Sequence, residues 1–307
     1  MNVTVLSGGV GGARFVQGVV GALSADEVTV VGNIGDDLEV LGLHVSPDLD
    51  SIMYALAGVN DEERGWGRAG ESWRVLESVA ALGGETWFRL GDLDLGIHLV
   101  RTQALRAGEL LSRVTARLCA ALGVETRLLP ATDERLRTWI ATADGELTFQ
   151  DWFVARGHRD EVDGVRFEGD DRAPPAAGVL EAIAHADLLL LAPSNPYVSI
   201  GPILAVRAIR DALAARAVPC VAVSPLIGGR AVKGPADRML ARLAGGTKPA
   251  QVAACYDGLI DAIVVDEADA ADVGDLGNVR PIVARTLMVD ADARRRLAEA
   301  ALGAVPA

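Results

Sequence analysis

The chain has 307 residues, of which 50% are hydrophobic and 23% charged, enough to build one large domain core or two modest ones. A formal net charge of −13 excludes a basic nucleic-acid-binding face, and no apolar run approaches the length of a membrane span. The first strand begins at Asn2, leaving no room for a signal peptide, and Cys119, Cys220 and Cys255 fall in no metal-ligand spacing, so reduced thiols and a cytoplasmic location are expected.

Val3-Thr4-Val5-Leu6 reads as a buried strand, followed at once by Ser7-Gly8-Gly9-Val10-Gly11-Gly12-Ala13-Arg14 and a helical stretch from Phe15 to Leu23. Strand, glycine turn and helix in that order aim backbone N–H groups and a positive helix end at one point, which suits a phosphate. Gly9, Gly11 and Gly12 are the candidate nucleotide-binding positions, because a Cβ there would obstruct the approach of a diphosphate. Arg14 stands where the dinucleotide fingerprint needs its third glycine, and no Gly-Lys-Ser/Thr ending follows. A merely tight turn is the plainer alternative.

Glu27 to Val31 is a second strand, completing a parallel β-α-β unit, and it runs into Gly32-Asn33-Ile34-Gly35-Asp36-Asp37. Leu41 to Val45 is a short strand, and Ser46-Pro47-Asp48-Leu49-Asp50 leads into a helix over 52–56, capped by Ser46 or Asp48. Asp36, Asp37, Asp48 and Asp50 thus lie on two loops that follow strands. Carboxylates so crowded resist ionisation unless a cation joins them, and Mg2+ suits such a site beside phosphate oxygens. Helix capping by Asp48 and turn closure by Asp36 are the structural alternatives.

Residues 59–74 are polar and glycine-punctuated, an ordered loop or lid; helices follow at 72–82, 92–107 and 110–122. Asp94, His98 and Arg101 or Thr102 share one helix face, so His98 is either a satisfied structural residue or ligand-facing. Arg89 is a lone cation in a short apolar strand and a stronger binding candidate. The five tryptophans all fall between 66 and 152, as walls for a flat heterocycle or as core. A small β segment is expected over 125–149, turning at Ala143-Asp144-Gly145.

From about 176 the alternation resumes: helix 177–185, strand 187–191, helix 200–215, strand 218–223, helices 235–244 and 249–256, strands 261–265 and 281–284, and a terminal helix from 290. The loop Pro193-Ser194-Asn195-Pro196-Tyr197-Val198-Ser199 offers the Ser194 and Ser199 hydroxyls and the Asn195 amide to a phosphate or base edge, or a cap at Ser199. The pattern predicts one doubly wound, Rossmann-like α/β domain over 1–307, a three-layer parallel sheet with a mostly helical insertion at 50–160. Loops 7–14, 33–37 and 192–201 would meet in the crevice where strand order reverses.

Several stretches together resemble the 2-phospho-L-lactate transferase family of coenzyme F420 biosynthesis, with its phosphoenolpyruvyl branch. They are Ser7 to Arg14, Ser46-Pro47-Asp48-Leu49-Asp50, Trp66-Gly67-Arg68, Leu90-Gly91-Asp92-Leu93-Asp94 with His98, and Ala192-Pro193-Ser194-Asn195-Pro196 with Ser199-Ile200-Gly201. Leu93 and Gly96 depart from the usual family residues. The resemblance implies Mg2+-dependent transfer of a phospholactyl or phosphoenolpyruvyl group from a guanosine diphosphate-linked donor to the ribitol hydroxyl of the deazaflavin Fo, releasing GMP. It implies Fo contacts at Asp50 and Arg89, with the nucleotide along the glycine turn and the 194–201 loop, and a homodimer is common in the family. Combined with the residue reading, it assigns Asp50 to orient or deprotonate the hydroxyl, with Asp48 beside it, and Asp37 and Asp48 to the metal. His98 is placed on the substrate side. The alternative is a non-catalytic nucleotide-sugar-binding regulator of the same superfamily, which has no need of the Trp66 loop and the Gly91 to Thr102 helix.

Overall fold

The computed structural model describes residues 1–169 and 173–304. In chain order, β1 (Val3–Ser7) passes through the glycine turn into α1 (Gly9–Ala22), and β2 (Val28–Gly32) returns parallel to it. A hairpin, β3 (Leu38–Val40) and β4 (Leu43–Val45), delivers the chain to α2 (Pro47–Leu56). Helices α3 (Arg74–Ala81), α4 (Asp92–Arg106) and α5 (Leu111–Ala121) precede β5 (Arg127–Pro130). Strands β6 (Arg137–Thr142), β7 (Gly145–Thr148) and β8 (Gly164–Glu168) make a separate antiparallel sheet. Then come α6 (Val179–Ala184), β9 (Leu188–Leu191), α7 (Gly201–Ala205), α8 (Arg207–Ala214) and β10 (Cys220–Val223). A two-residue hairpin, β11 (Leu226–Ile227) and β12 (Arg230–Ala231), is followed by α9 (Ala236–Leu243), α10 (Pro249–Ala254), β13 (Ala262–Asp266), β14 (Arg280–Ala284) and α11 (Ala291–Leu302).

Seven strands form the all-parallel central sheet in the order β14-β13-β10-β9-β1-β2-β5. Strands β1, β9, β10 and β13 are buried throughout, β9 being four consecutive leucines, because helices cover both faces and leave no polar side to alternate with. The chain runs outward from β1 to β5, then restarts at β9 and runs the other way. The reversal therefore lies between β1 and β9, and the crevice opens at their carboxyl ends. No helix among the described residues is long and apolar enough to cross a membrane.

Three expectations are corrected. The helix expected over 52–56 begins at Pro47, whose missing N–H costs nothing at a first helical position. Asp48 and Asp50 are thereby inside its first turn, and Ser46 makes no side-chain cap. The 125–149 segment divides, with β5 completing the edge of the central sheet and β6 pairing on one side with β7 and on the other with β8, a strand the sequence pattern does not show. Within 50–160, α2 and β5 thus belong to the main fold, and the material standing off it comes in two excursions. The helix expected over 200–215 is interrupted at Val206, whose ψ of 96° is extended.

Candidate active site

At the β1/β9 reversal lies a cavity of about 720 Å³. Its floor comes from Gly8 to Gly11, Ser194, Val198 and Ser199; its acidic wall from Asp36, Asp48, Asp50 and Asp94. Trp66, Trp87 and Arg89 stand at one end, with Ser224, Pro225 and Met288 among the residues bounding another side.

The glycine turn and the 193–199 loop are interlocked. Gly9 holds φ +71°, and a Cβ on Gly8 would stand 2.6 Å from Asp48 Oδ2 and 3.0 Å from the Ser199 Cβ. A Cβ on Gly11 would come 3.1 Å from the Pro193 carbonyl. Gly12, expected to face a nucleotide, is outside the cavity lining: its Cβ position is filled by the Ser7 and Ser194 hydroxyls. Ser194 Oγ donates to the Gly8 carbonyl at 2.6 Å. Asn195 accepts from the Tyr197 N–H at 2.9 Å and donates to Met239 Sδ at 3.3 Å. Both residues line the cavity and also hold the loop, which continues in a π-helical turn over Pro196–Ile200. Ser199 lines the cavity, its hydroxyl 3.6 Å from the Gly9 Cβ position and without a hydrogen-bond partner among the described residues.

The acids divide differently from the sequence expectation. Asp37 accepts from Ser46 Oγ at 2.7 Å and approaches His44 Nε2 at 3.0 Å, and it is absent from the cavity wall. It anchors the β3–β4 hairpin to α2. Asp36 instead lines the cavity, and its buried Oδ1 has no hydrogen-bond partner. Asp48 accepts from Asn33 Nδ2 at 2.8 Å. Burial pushes the Asp48 carboxyl up to about 6, against the hydrogen bonds from Asn33 and the Gly9 backbone. Burial, and then the Asp48 charge, push Asp36 well above the carboxylate range. Asp36 and Asp48, two carboxylates raised by burial beside the glycine turn, are a donor set suited to Mg2+, which completes its shell with phosphate oxygens and water. No cluster of three or more ligating side chains occurs among the described residues.

Asp50 lies in the cavity wall with both oxygens taken by Arg101, Nη1 donating to Oδ2 at 3.0 Å and Nη2 to Oδ1. Arg101 is 1% exposed, and its Nη1 also meets His98 Nδ1 at 3.2 Å. Accepting there puts the imidazole proton on Nε2, which points 3.5 Å from Asp94 Oδ1. Tyr54 donates its hydroxyl to the same Asp94 oxygen. Asp50 is therefore no helix cap but the end of a buried chain from α2 to α4. The spacing of Asp94, His98 and Arg101 signals the shared face; nothing in the sequence pairs Arg101 with a carboxylate fifty-one residues earlier.

Arg89 stacks on Trp73, with its guanidinium carbon 4.4 Å from the ring centroid, and has no ion pair among the described residues. Asp92 and Asp94, the two carboxylates at the start of α4, are occupied: Asp92 accepts from Ser72 Oγ and the Arg74 and Val75 N–H groups, and Asp94 is held as above. Arg64 lies over both Trp66 and Trp73, at 4.8 and 5.2 Å, extending the stack to the cavity mouth. Of the tryptophans, Trp66 and Trp87 line the cavity, whereas Trp152 is core of the smaller sheet's cluster.

Residues 3–301 match the family model described as 2-phospho-L-lactate transferase CofD. The chain is 45% identical over 310 residues to the phosphoenolpyruvate transferase of Streptomyces griseus subsp. griseus, covering 98% of each. It is 45% identical over 314 residues to that of Streptomyces coelicolor (98% of this chain, 97% of the relative) and 42% identical over 324 residues to that of Mycolicibacterium smegmatis, with 98% of each covered. Among solved structures, protein BH3568 of Bacillus halodurans superposes with a TM-score of 0.66 over 98% of this chain and 99% of that one, at 18% identity, a likeness of fold.

Proposed function

The chain belongs to the 2-phospho-L-lactate transferase (CofD) family, the phosphoenolpyruvate or 2-phospholactate transferases of coenzyme F420 biosynthesis, and we propose how its cavity carries that transfer. The donor is a guanosine diphosphate-linked enolpyruvate, a choice supported by relatives named phosphoenolpyruvate transferase. The acceptor is the ribitol hydroxyl of Fo. The carrying observation is that the glycine turn, the α2 carboxylates and the Arg89–Trp87 end line one continuous cavity, so a diphosphate and a flat acceptor can meet at Asp48 and Asp50.

The acceptor hydroxyl oxygen attacks the phosphorus bearing the enolpyruvyl ester. The bond from that phosphorus to the bridging oxygen breaks, and GMP leaves with that oxygen. Asp50 accepts the hydrogen bond of the attacking hydroxyl on a carboxylate that Arg101 keeps immobile, and takes its proton as the new bond forms. In a loose transition state the proton departs late, so holding the nucleophile in line is the larger contribution. Arg89 faces the electron-rich deazaflavin, Ser199 and the Gly9 to Gly11 backbone hold the donor's phosphates, and His98 fixes Arg101 from behind. Asp36 and Asp48 would hold Mg2+, which when bound neutralises phosphate charge; Asp36 replaces Asp37 in this reading because it lines the cavity and Asp37 does not.

Incubation of the purified protein with Fo, Mg2+ and the enolpyruvyl, lactyl or glyceryl donor, followed by mass spectrometry, tests this. Fastest product formation from the enolpyruvyl donor, abolished by EDTA, is expected. Preference for another donor corrects the acid, and full turnover in excess EDTA removes the metal. Light scattering reads whether the homodimer common in the family forms.

A further inference from the structure

Three cationic side chains line the cavity: Arg14, Arg89 and Lys233. Arg14 reaches Glu62 at 3.5 Å and Arg89 is seated on Trp73. Lys233 has no ion pair, hydrogen bond or aromatic partner among the described residues, whereas the chain's other lysine, Lys248, pairs with Asp272 at 3.1 Å.

Its position is built rather than incidental. The β11–β12 hairpin turns at Gly228 and Gly229, whose N–H groups donate to Asp269 at 2.9 and 2.8 Å, so one carboxylate staples the turn to the segment after β13. Beyond β12 the chain passes through Lys233 and Gly234, at φ +74°, into α9. From there the lysine reaches across the mouth: a Cβ on Gly65 would collide with Lys233 Nζ. Gly65 in turn shares a small depression with Val10 and Arg14 of α1. The ammonium group therefore bridges from the β10 side of the crevice to the neighbourhood of the helix that the glycine turn opens.

On the reading given above, the ligand is a diphosphate entering a cavity whose wall already carries Asp36, Asp48, Asp50 and Asp94. Arg101 is committed to Asp50, so a cation left without a carboxylate is what such a ligand requires. We propose that Lys233 closes over the donor from the cavity mouth and binds the phosphate of the leaving nucleoside monophosphate. As the bond to the bridging oxygen breaks, that oxygen departs with the nucleotide and gains charge. A compact ammonium fixed there is worth more in the transition state than in the ground state.

The test compares the parent with Lys233→Met and Lys233→Arg, using GDP and inorganic pyrophosphate as calorimetric probes in Mg2+. Lys233→Met should bind both about tenfold or more weakly, the usual effect of losing a charge-assisted hydrogen bond. Its kcat/KM for the donor should fall with it, while KM for Fo and the melting temperature stay at parental values. Lys233→Arg should restore most of the loss. Parental affinity and turnover in Lys233→Met would overturn the proposal, as would a variant that melts early and loses affinity for Fo and GDP alike. If the parent binds pyrophosphate but not GDP, the guanosine donor reading fails while the lysine comparison is still read on pyrophosphate. A parent that binds neither probe overturns both.

Discussion

At the scale of single residues, the pairing of Asp50 with Arg101 changes what a substitution there should do. Were Asp50 a helix cap, asparagine would replace it with little loss of stability. Instead Asp50→Asn leaves a guanidinium 1% exposed without its counter-charge, a change that costs about 3–5 kcal/mol. A distinctly lowered melting temperature is therefore expected, with turnover down on the order of a hundredfold or more. Pairing Asp50→Asn with Arg101→Gln should recover much of the melting temperature and none of the turnover. Recovery of both would reduce Asp50 to a structural ion-pair partner. The glycines separate similarly: Gly12→Ala meets the Ser7 and Ser194 hydroxyls and should destabilise by roughly 1–3 kcal/mol, with nucleotide affinity following stability. Gly11→Ala, which meets only the Pro193 carbonyl at 3.1 Å, should act on GDP affinity, read by calorimetry. Which glycine or aspartate faces the ligand was illegible from sequence. Asp36 and Asp37 are neighbours on one turn, and the identity of the inward one depends on His44 and Ser46, supplied by the following hairpin.

At the scale of elements, the sequence carried the strand–turn–helix units, because buried parallel strands read as apolar runs and glycine turns are distinctive. It put β5 in a small β segment over 125–149 and not in the central sheet. Arg127–Pro130 is short, and its membership of the central sheet depends on β2 lacking another neighbour on that side. It also missed β8, whose partner β6 is not its neighbour in sequence. Residues 64–89 build the end of the cavity proposed for the acceptor through stacking rather than ion pairs: Arg89 on Trp73, and Arg64 over Trp73 and Trp66. Trp73 is absent from the cavity wall, so Trp73→Ala removes the seat of Arg89 without removing the charge. A cation–π contact worth about 0.5–2 kcal/mol predicts that KM for Fo rises several-fold in Trp73→Ala and further in Arg89→Ala, with KM for the donor unmoved. Equal changes in both constants would mean that the stack merely holds the loop. A non-catalytic nucleotide-binding regulator would have no use for this end of the cavity, so the same measurement separates the two readings.

At the scale of the whole molecule, the chain concentrates several acids at the switch point of its sheet, where folding leaves them poorly solvated. Asp48 is raised to about 6 and Asp36 well above its ordinary range, chiefly by burial. The sign follows directly. Between the ordinary carboxylate pKa and the raised one, the folded protein binds more protons than the unfolded chain, so stability falls as pH rises through that window. A bound divalent cation reverses this, since it requires both acids deprotonated and binds the folded state preferentially. The stabilisation given by Mg2+, read as the difference in melting temperature between Mg2+ and EDTA, should therefore grow from about pH 5.5 to about pH 7.5. In Asp36→Asn the gain should be smaller and flatter with pH, whereas Asp37→Asn should keep a pH-dependent gain displaced to lower pH, because the Asp37 charge helps raise both Asp36 and Asp48, with a lower melting temperature from its lost Ser46 and His44 contacts. A parental gain that stays constant across the window would mean that Mg2+ is held elsewhere. The buried acids would then be a standing cost of the fold, with their protons retained near neutrality.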